Sequence, residues 1–237
     1  MTNLLQKPLL DPSTTTILVT GASGYIASHI ISQALTLGYT VRGTARTASK
    51  AETTKSTHNN HPRYSTVVVS DFSHVSPDLD SAIKGVDAVI HVASDTSFSN
   101  DPHKVIGGVV ASVNNVLATA AREPKVKRFV LTSSSTAAVL PRPGVEMTVT
   151  VDSWDDGAVE AAWGEDPDAF VVYAASKTEG ERALWKFVEE KRPGFVANAI
   201  LPNFNMGRVL GSAGPTGNAV IDFYKGQKRD MFGPREL

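Results

Sequence analysis

Thr16-Ile17-Leu18-Val19-Thr20-Gly21-Ala22-Ser23-Gly24-Tyr25-Ile26-Ala27-Ser28-His29-Ile30-Ile31 is the stretch that decides the fold. Its first five residues are β-branched and apolar, as a parallel strand buried on both faces must be. Two glycines three apart follow, where such a strand has to turn sharply into a helix. Apolar residues then recur at helical spacing, at Ile26, Ile30, Ala34 and Leu37. A strand, a glycine turn and a helix N-terminus together form an anion site, because free N–H groups and the positive helix end point at one spot. Gly21 permits the turn, Gly24 admits a pyrophosphate, and Ala27 keeps the helix close to the sheet. The spacing is G-x-x-G-x-x-A, not the G-x-G-x-x-G of the older dinucleotide fingerprint. A glycine turn without a ligand remains the competing reading of this stretch alone.

Outward from it, strands and helices alternate. Strands are predicted at Tyr39–Arg46, Ser65–Val69, Ala88–Val92, Arg128–Leu131 and Phe195–Leu201. Helices are predicted over 102–122, despite Gly107 and Gly108, over about 168–190, and over shorter pieces after Thr47, around 79–84 and near 219–224. The region 141–164 reads as irregular. Six strands alternating with helices imply a doubly wound parallel α/β sheet. Ligands of such sheets lie beyond the carboxyl ends of the strands. Gly21, Arg46, Asp71, His91 to Ser94, Ser133 to Ser135 and Pro202 all fall at those ends.

The 237 residues suffice for one large domain, and the net charge of −1 gives no basic field for nucleic acid or an anionic membrane. No cysteine is present, so disulfides, thiolate metal sites and a cysteine nucleophile are excluded. No apolar run is read as a membrane span, and residues 1–15 read as a loose lead-in rather than a signal peptide. His58 and His61 lack a third ligand nearby, so they read as a solvated loop and no metal is expected. The expectation is a cytoplasmic protein acting on a small molecule.

An acid at the end of the second strand would bind ribose hydroxyls; Arg46 stands there, with Lys50 one turn on. A guanidinium holds a 2′-phosphate with charge-assisted hydrogen bonds, which favours NADP(H). Arg42 either assists or packs elsewhere. Asp71 and Phe72 would border the adenine. Tyr173 and Lys177, at i and i+4, share a helix face. A neighbouring ammonium should stabilise the Tyr173 phenolate, and the tyrosine can then exchange a proton with a carbonyl oxygen. Ser134 is the hydroxyl placed to orient that oxygen. Y-x-x-x-K is weak in isolation, and a packed tyrosine beside a solvated lysine is the plainer alternative.

Taken in order, these residues resemble the short-chain dehydrogenase/reductase superfamily, in its extended, epimerase/dehydratase-like branch. The segments Thr20–Ala27, Arg46 with Lys50, His91–Ser94, Lys127–Ser134 and Tyr173–Lys177 are similar to the dihydroflavonol reductase group, which includes fungal NADPH-dependent aldehyde, ketone and methylglyoxal reductases. The resemblance runs from about Thr16 to Gly207. It implies a Rossmann fold and reduction of an aldehyde or ketone, in secondary metabolism. It implies a phosphate loop at Gly21, Ala22, Ser23, Gly24, Tyr25 and Ile26, with Ala93 and Pro202 on the nicotinamide side. Catalysis falls to Ser134, Tyr173 and Lys177, with Lys177 also reaching the nicotinamide ribose. A sugar-nucleotide epimerase or dehydratase, and a non-catalytic NADP-binding protein, are the other readings.

Two departures matter. Asp95 stands where the group usually has proline after H-V-A-S. The group also continues for roughly another hundred residues, the scale of a substrate lobe. The expected layout is a lead-in at 1–15, a cofactor-binding domain with the catalytic residues at 16–207, and a partial substrate lobe at 208–237. A fragment, a shortened product or completion by a partner would each account for the short C-terminus, and the oligomeric state is not legible.

Overall fold

The fold is built on β1 (Thr16–Val19), whose residues alternate between two cores. The computed structural model describes residues 10–142 and 144–227. After β1 come α1 (Tyr25–Thr36), β2 (Thr40–Ala45), α2 (Ala48–Thr57), β3 (Tyr64–Val68), α3 (Pro77–Ile83) and β4 (Ala88–His91). Then follow α4 (Pro102–Arg122), β5 (Arg128–Thr132), α5 (Asp156–Ala162), α6 (Ala169–Lys191), β6 (Val196–Ile200) and α7 (Gly214–Tyr224). The six strands form one parallel sheet in the order β3-β2-β1-β4-β5-β6. This is the doubly wound order, and it reverses between β1 and β4, where a ligand crevice opens.

Leu18, Val89 and Phe129 point to one face, against Leu79 and Ile83 of α3, Val113, Val116 and Leu117 of α4, and Leu184 of α6. Ile17, Val19 and Val41 point to the other, against Ala27, Ile31 and Leu35 of α1. Burial on both faces explains why β1 reads as a continuous apolar run. Ala27 is fully buried, in keeping with its expected role of holding α1 against the sheet. Of the lead-in, residues 1–9 lie outside the described residues; Leu10 packs against the β1–α1 core.

Several expectations need correction. The stretch 141–164 contains α5, a seven-residue helix capped by Asp155, whose carboxylate accepts from the Ala158 N–H at 3.0 Å. A run this short carries little periodicity; burial of Ala158 and Ala162 and the Arg182–Asp156 ion pair hold it to the rest of the chain. α7 begins five residues before the predicted 219, at Gly214, because Pro215 is tolerated in a first helical turn. His58 is not solvated: it is buried, with its ring edge-on to Tyr64 at 5.1 Å, and burial pushes its pKa down. Arg42 turns away from the crevice and donates to the carbonyls of Ala82 (2.7 Å) and Lys84 (2.9 Å) at the end of α3. α4 is long and apolar enough by composition to cross a membrane, but Val105, Ile106, Val109, Val113, Val116 and Leu117 are buried within this domain.

Gly43 in β2 marks a close approach. A Cβ there would lie 2.8 Å from the Ala22 Cβ and would strike the Tyr64 ring. Gly43→Ala should therefore overpack this junction and destabilise the chain by about 1–3 kcal/mol. Urea unfolding measures this, and an unchanged midpoint would show that the junction can relax.

Candidate active site

The crevice holds a cleft of about 840 Å³, walled by the ends of β1 to β5, by α4 and α6, and by residues just before and within α7. Its floor is the glycine turn. Gly21 has φ +66°, and a Cβ there would come within 3.0 Å of the Ala93 Cα. Only glycine meets both demands. The loop is pinned from β2: Gly21 N–H donates to Thr44 Oγ1 (3.1 Å) and Ala22 N–H to the Thr44 carbonyl (2.8 Å). Gly24 N-caps α1 without any side-chain hydrogen bond. The first-turn N–H groups of α1 therefore have no side-chain acceptor, and Ser23, Gly24, Tyr25 and Ile26 line the cleft above them. Ala22 is buried behind the loop. The Tyr25 hydroxyl reaches away and donates to the Gly207 carbonyl at 2.8 Å.

On the β2–β3 side, Arg46, Asp71 and Phe72 line the cleft. Lys50 lies in the first turn of α2 with an exposed side chain that is not part of the described cleft wall. Asp71 is held well below the usual carboxylate range, at about 2, by hydrogen bonds from Ser73 and His74. Phe72 is fixed twice, by its ring against His91 and by its carbonyl accepting from Asn115 Nδ2 at 3.1 Å.

On the β4–β5 side, α6 delivers Tyr173 and Lys177. Asp168 caps this helix by accepting from the Phe170 and Val171 N–H groups. Lys177 is only 7% exposed, and its Nζ donates to Ser94 Oγ at 2.9 Å and lies 5.5 Å from the Tyr173 ring centre. Burial pushes this ammonium down to about 8. Ser134 follows β5 and is buried, with its hydroxyl in the neighbourhood of the Tyr173 hydroxyl. Ser134 Oγ accepts from the Thr136 N–H (3.3 Å) and hydroxyl (3.0 Å), which leaves its own proton to be donated elsewhere. The expected lowering of the Tyr173 pKa is not found: burial raises it, and the neighbouring Ser134 hydroxyl only opposes that rise. Ala93 lines the cleft, as do Asn203 and Asn205; Pro202 stands before them, its carbonyl accepting from the Ser135 N–H.

The sequence gives no site signal for Thr20, Ser112, Asn115 and Thr136, and marks His91 and Ser94 only by their place in a strand-end cluster. Their signal is tertiary. Thr20 Oγ1 accepts from the Val92 (2.9 Å) and Ala93 (3.0 Å) N–H groups. Its proton must then go to His91 Nδ1, 2.9 Å away, which makes Nε2 the protonated nitrogen, facing Ser112 Oγ at 3.3 Å. His91 is buried and neutral, its pKa pushed down to about 3 by burial and by the Lys177 charge.

The model of the NAD dependent epimerase/dehydratase family matches residues 17–205. The chain belongs to that family. The family core thus covers β1 to β6 and every predicted site residue. Aldehyde reductase 2 of Sporidiobolus salmonicolor is 41% identical over 226 residues, which are 91% of this chain and 66% of the relative. The NAD-dependent epimerase/dehydratase terH of Aspergillus terreus is 39% identical over the same shares. Among solved structures, yeast methylglyoxal/isovaleraldehyde reductase Gre2 complexed with NADPH superposes with a TM-score of 0.74 at 30% identity. The match covers 82% of this chain and 59% of that one. The chain thus spans slightly less than two thirds of the length of these family members.

The buried ammonium has a measurable consequence. The folded pKa of Lys177 lies below its ordinary 10.5, so the folded chain binds fewer protons than the unfolded one between about pH 8 and 10.5. Stability relative to a Lys177→Met variant should therefore rise as pH increases from 8 to 10 in urea unfolding. A constant difference across that window would show that Lys177 is not held in a desolvated site.

Proposed function

We propose that this chain binds NADP(H) and reduces the carbonyl group of a small aldehyde or ketone to an alcohol. The observation that carries this reading is the meeting of Tyr173, Ser134 and Lys177 beside the glycine turn. The cleft suits the dinucleotide: it is of adequate volume, uncapped N–H groups form its floor, and Arg46, a cation, ends β2 where an acid would repel a 2′-phosphate. The residues that would hold it are the loop Gly21 to Ile26, Arg46 with Lys50 at the 2′-phosphate, and Asp71 and Phe72 at the adenine. Ala93, Lys177 and the Pro202 segment would serve the nicotinamide side. The NADPH in the yeast neighbour and the names of the fungal relatives support this assignment.

When bound, NADPH supplies a hydride to the carbonyl carbon. Tyr173 Oη would give its proton to the carbonyl oxygen, and the neighbouring Ser134 hydroxyl, whose proton is not used by Thr136, would donate a hydrogen bond to that oxygen. Lys177 favours the resulting phenolate electrostatically while it stays charged, below a pH of about 8. The unit 16–207 would carry cofactor and catalytic groups and the segment from 208 would form part of a substrate lobe; of that lobe, 228–237 lie outside the described residues. The proposed setting is the cytoplasm, in secondary metabolism.

Tyr173→Phe should lower turnover by about 100-fold or more while NADPH affinity stays within about twofold. Stopped-flow rates and a fluorescence titration read the two quantities separately, and unchanged turnover removes Tyr173 from the mechanism. Arg46→Ala should weaken NADPH by about tenfold or more and NADH far less. Equal losses for both cofactors in the same titration would overturn the 2′-phosphate assignment.

A further inference from the structure

We propose that residues 145–150 are a docking strand for a second copy of this chain, pairing antiparallel with the same segment about a two-fold axis at Met147. The stretch Val145-Glu146-Met147-Thr148-Val149-Thr150-Val151 alternates apolar and polar residues without a break. That is the period of a strand with one face meant for burial, and its valines and threonines suit extended backbone. Yet the segment belongs to none of the six strands. It lies in the loop between β5 and α5, which is tied at its base, where the Asp155 N–H donates to the Ala137 carbonyl at 3.0 Å. Beyond that tie the loop stands away from the domain, and every residue from Gly144 to Val151 that the structure describes is exposed. Val145 is 55% exposed, Met147 41%, Val149 54% and Val151 95%. Single apolar side chains on a surface are ordinary, but four at alternate positions of one segment form a patch.

The backbone is as bare as the side chains. Among the described residues, the N–H and C=O groups of Glu146, Met147, Thr148 and Val149 have no hydrogen-bond partner. The neighbouring bonds, Val145 N–H to the Arg142 carbonyl and Ser153 N–H to the Thr150 carbonyl, close turns at either end. An unpaired edge rich in β-branched residues, with neither proline nor glycine from Val145 to Val151, is a template for another strand.

A second copy of the segment is the occupant that fits. In an antiparallel pair centred on Met147, that residue faces the partner's Met147, and Val145 faces the partner's Val149. On the other side Glu146 lies opposite the partner's Thr148. At the two ends Arg142 comes opposite the partner's Asp152, so a cation meets an anion twice. Slipping the register by one residue sets Glu146 against the partner's Val149 and loses the match. Moving the axis to Thr148 leaves Arg142 opposite the partner's Trp154, so charge selects Met147. Each pairing of Glu146 with the partner's Thr148 exchanges two backbone hydrogen bonds. The two Met147 residues then occupy the close, non-hydrogen-bonded position, with Cα atoms about 4.5 Å apart. The contact is small, so the association is weak and concentration-dependent.

The chain has no cysteine, so single introduced cysteines report the pairing without interference. Under mild oxidation Met147→Cys should form a disulfide-linked dimer about tenfold or more faster than Val145→Cys. Position 147 meets itself within disulfide reach, whereas the two copies of position 145 stand about 14 Å apart along the ladder. Sedimentation equilibrium of the native chain should show the average mass rising from one chain towards two with concentration. Met147→Glu, which sets two carboxylates against each other on the axis, should weaken that association by about tenfold or more. These side chains are exposed, so thermal unfolding should show the fold intact in all three variants. Equal crosslinking at both positions, or a native chain that keeps the mass of one copy at every concentration, would overturn the proposal. A single-copy chain whose 146–149 amides are nevertheless protected from hydrogen exchange would assign the segment to another occupant and overturn it as well.

Discussion

A single hydroxyl ties the two halves of the sheet at the point where ligands enter. Thr20 ends β1, and its Oγ1 accepts from the Val92 and Ala93 N–H groups just past β4 while donating to His91. Strands β1 and β4 diverge there, since the chain leaves them towards opposite faces. The bridge closes that gap without filling it. It brings Ala93 against Gly21, so that glycine is the only residue the turn accepts, and it sets Ser94 where Lys177 can reach it. The glycine turn and the Lys177 ammonium are thus both tied to the segment this one atom holds.

Burial then decides the electrostatics. Lys177 is surrounded closely enough to lose part of its affinity for a proton, and His91 is kept neutral beneath it. A charged imidazole there would add a second cation to a desolvated pocket, so the neutral tautomer fixed by Thr20 spares the site that repulsion. Tyr173 is raised by the same desolvation, with Ser134 pulling the other way. The protein alone therefore does not hold a phenolate; a neutral, proton-bearing tyrosine is the form suited to giving a proton to a carbonyl.

The fold was legible because β1, the Gly21 turn and α1 are local, and because strand and helix periods alternate plainly to β6. Tyr173 with Lys177 could be read for the same reason: a four-residue spacing is a geometric statement on any helix. Features made by distant segments were not legible. Arg42 could not be seen to cap α3, nor His58 to tuck under Tyr64, nor Thr136 to donate to Ser134 Oγ. α5 escaped because seven residues rich in acid and alanine look like solvated chain until α6 supplies the surface they pack on.

The most direct measurement is isotope transfer. The purified chain is incubated with NADPH deuterated at the transferable C4 position and an aldehyde, and the alcohol is analysed by mass spectrometry and NMR. The account predicts an alcohol carrying one deuterium on the carbinol carbon, with label incorporated about 100-fold or more slowly by the Tyr173→Phe chain. NADPH that binds with defined stoichiometry yet delivers no deuterium to any aldehyde or ketone supplied would contradict it, leaving a chain that holds the dinucleotide without using it.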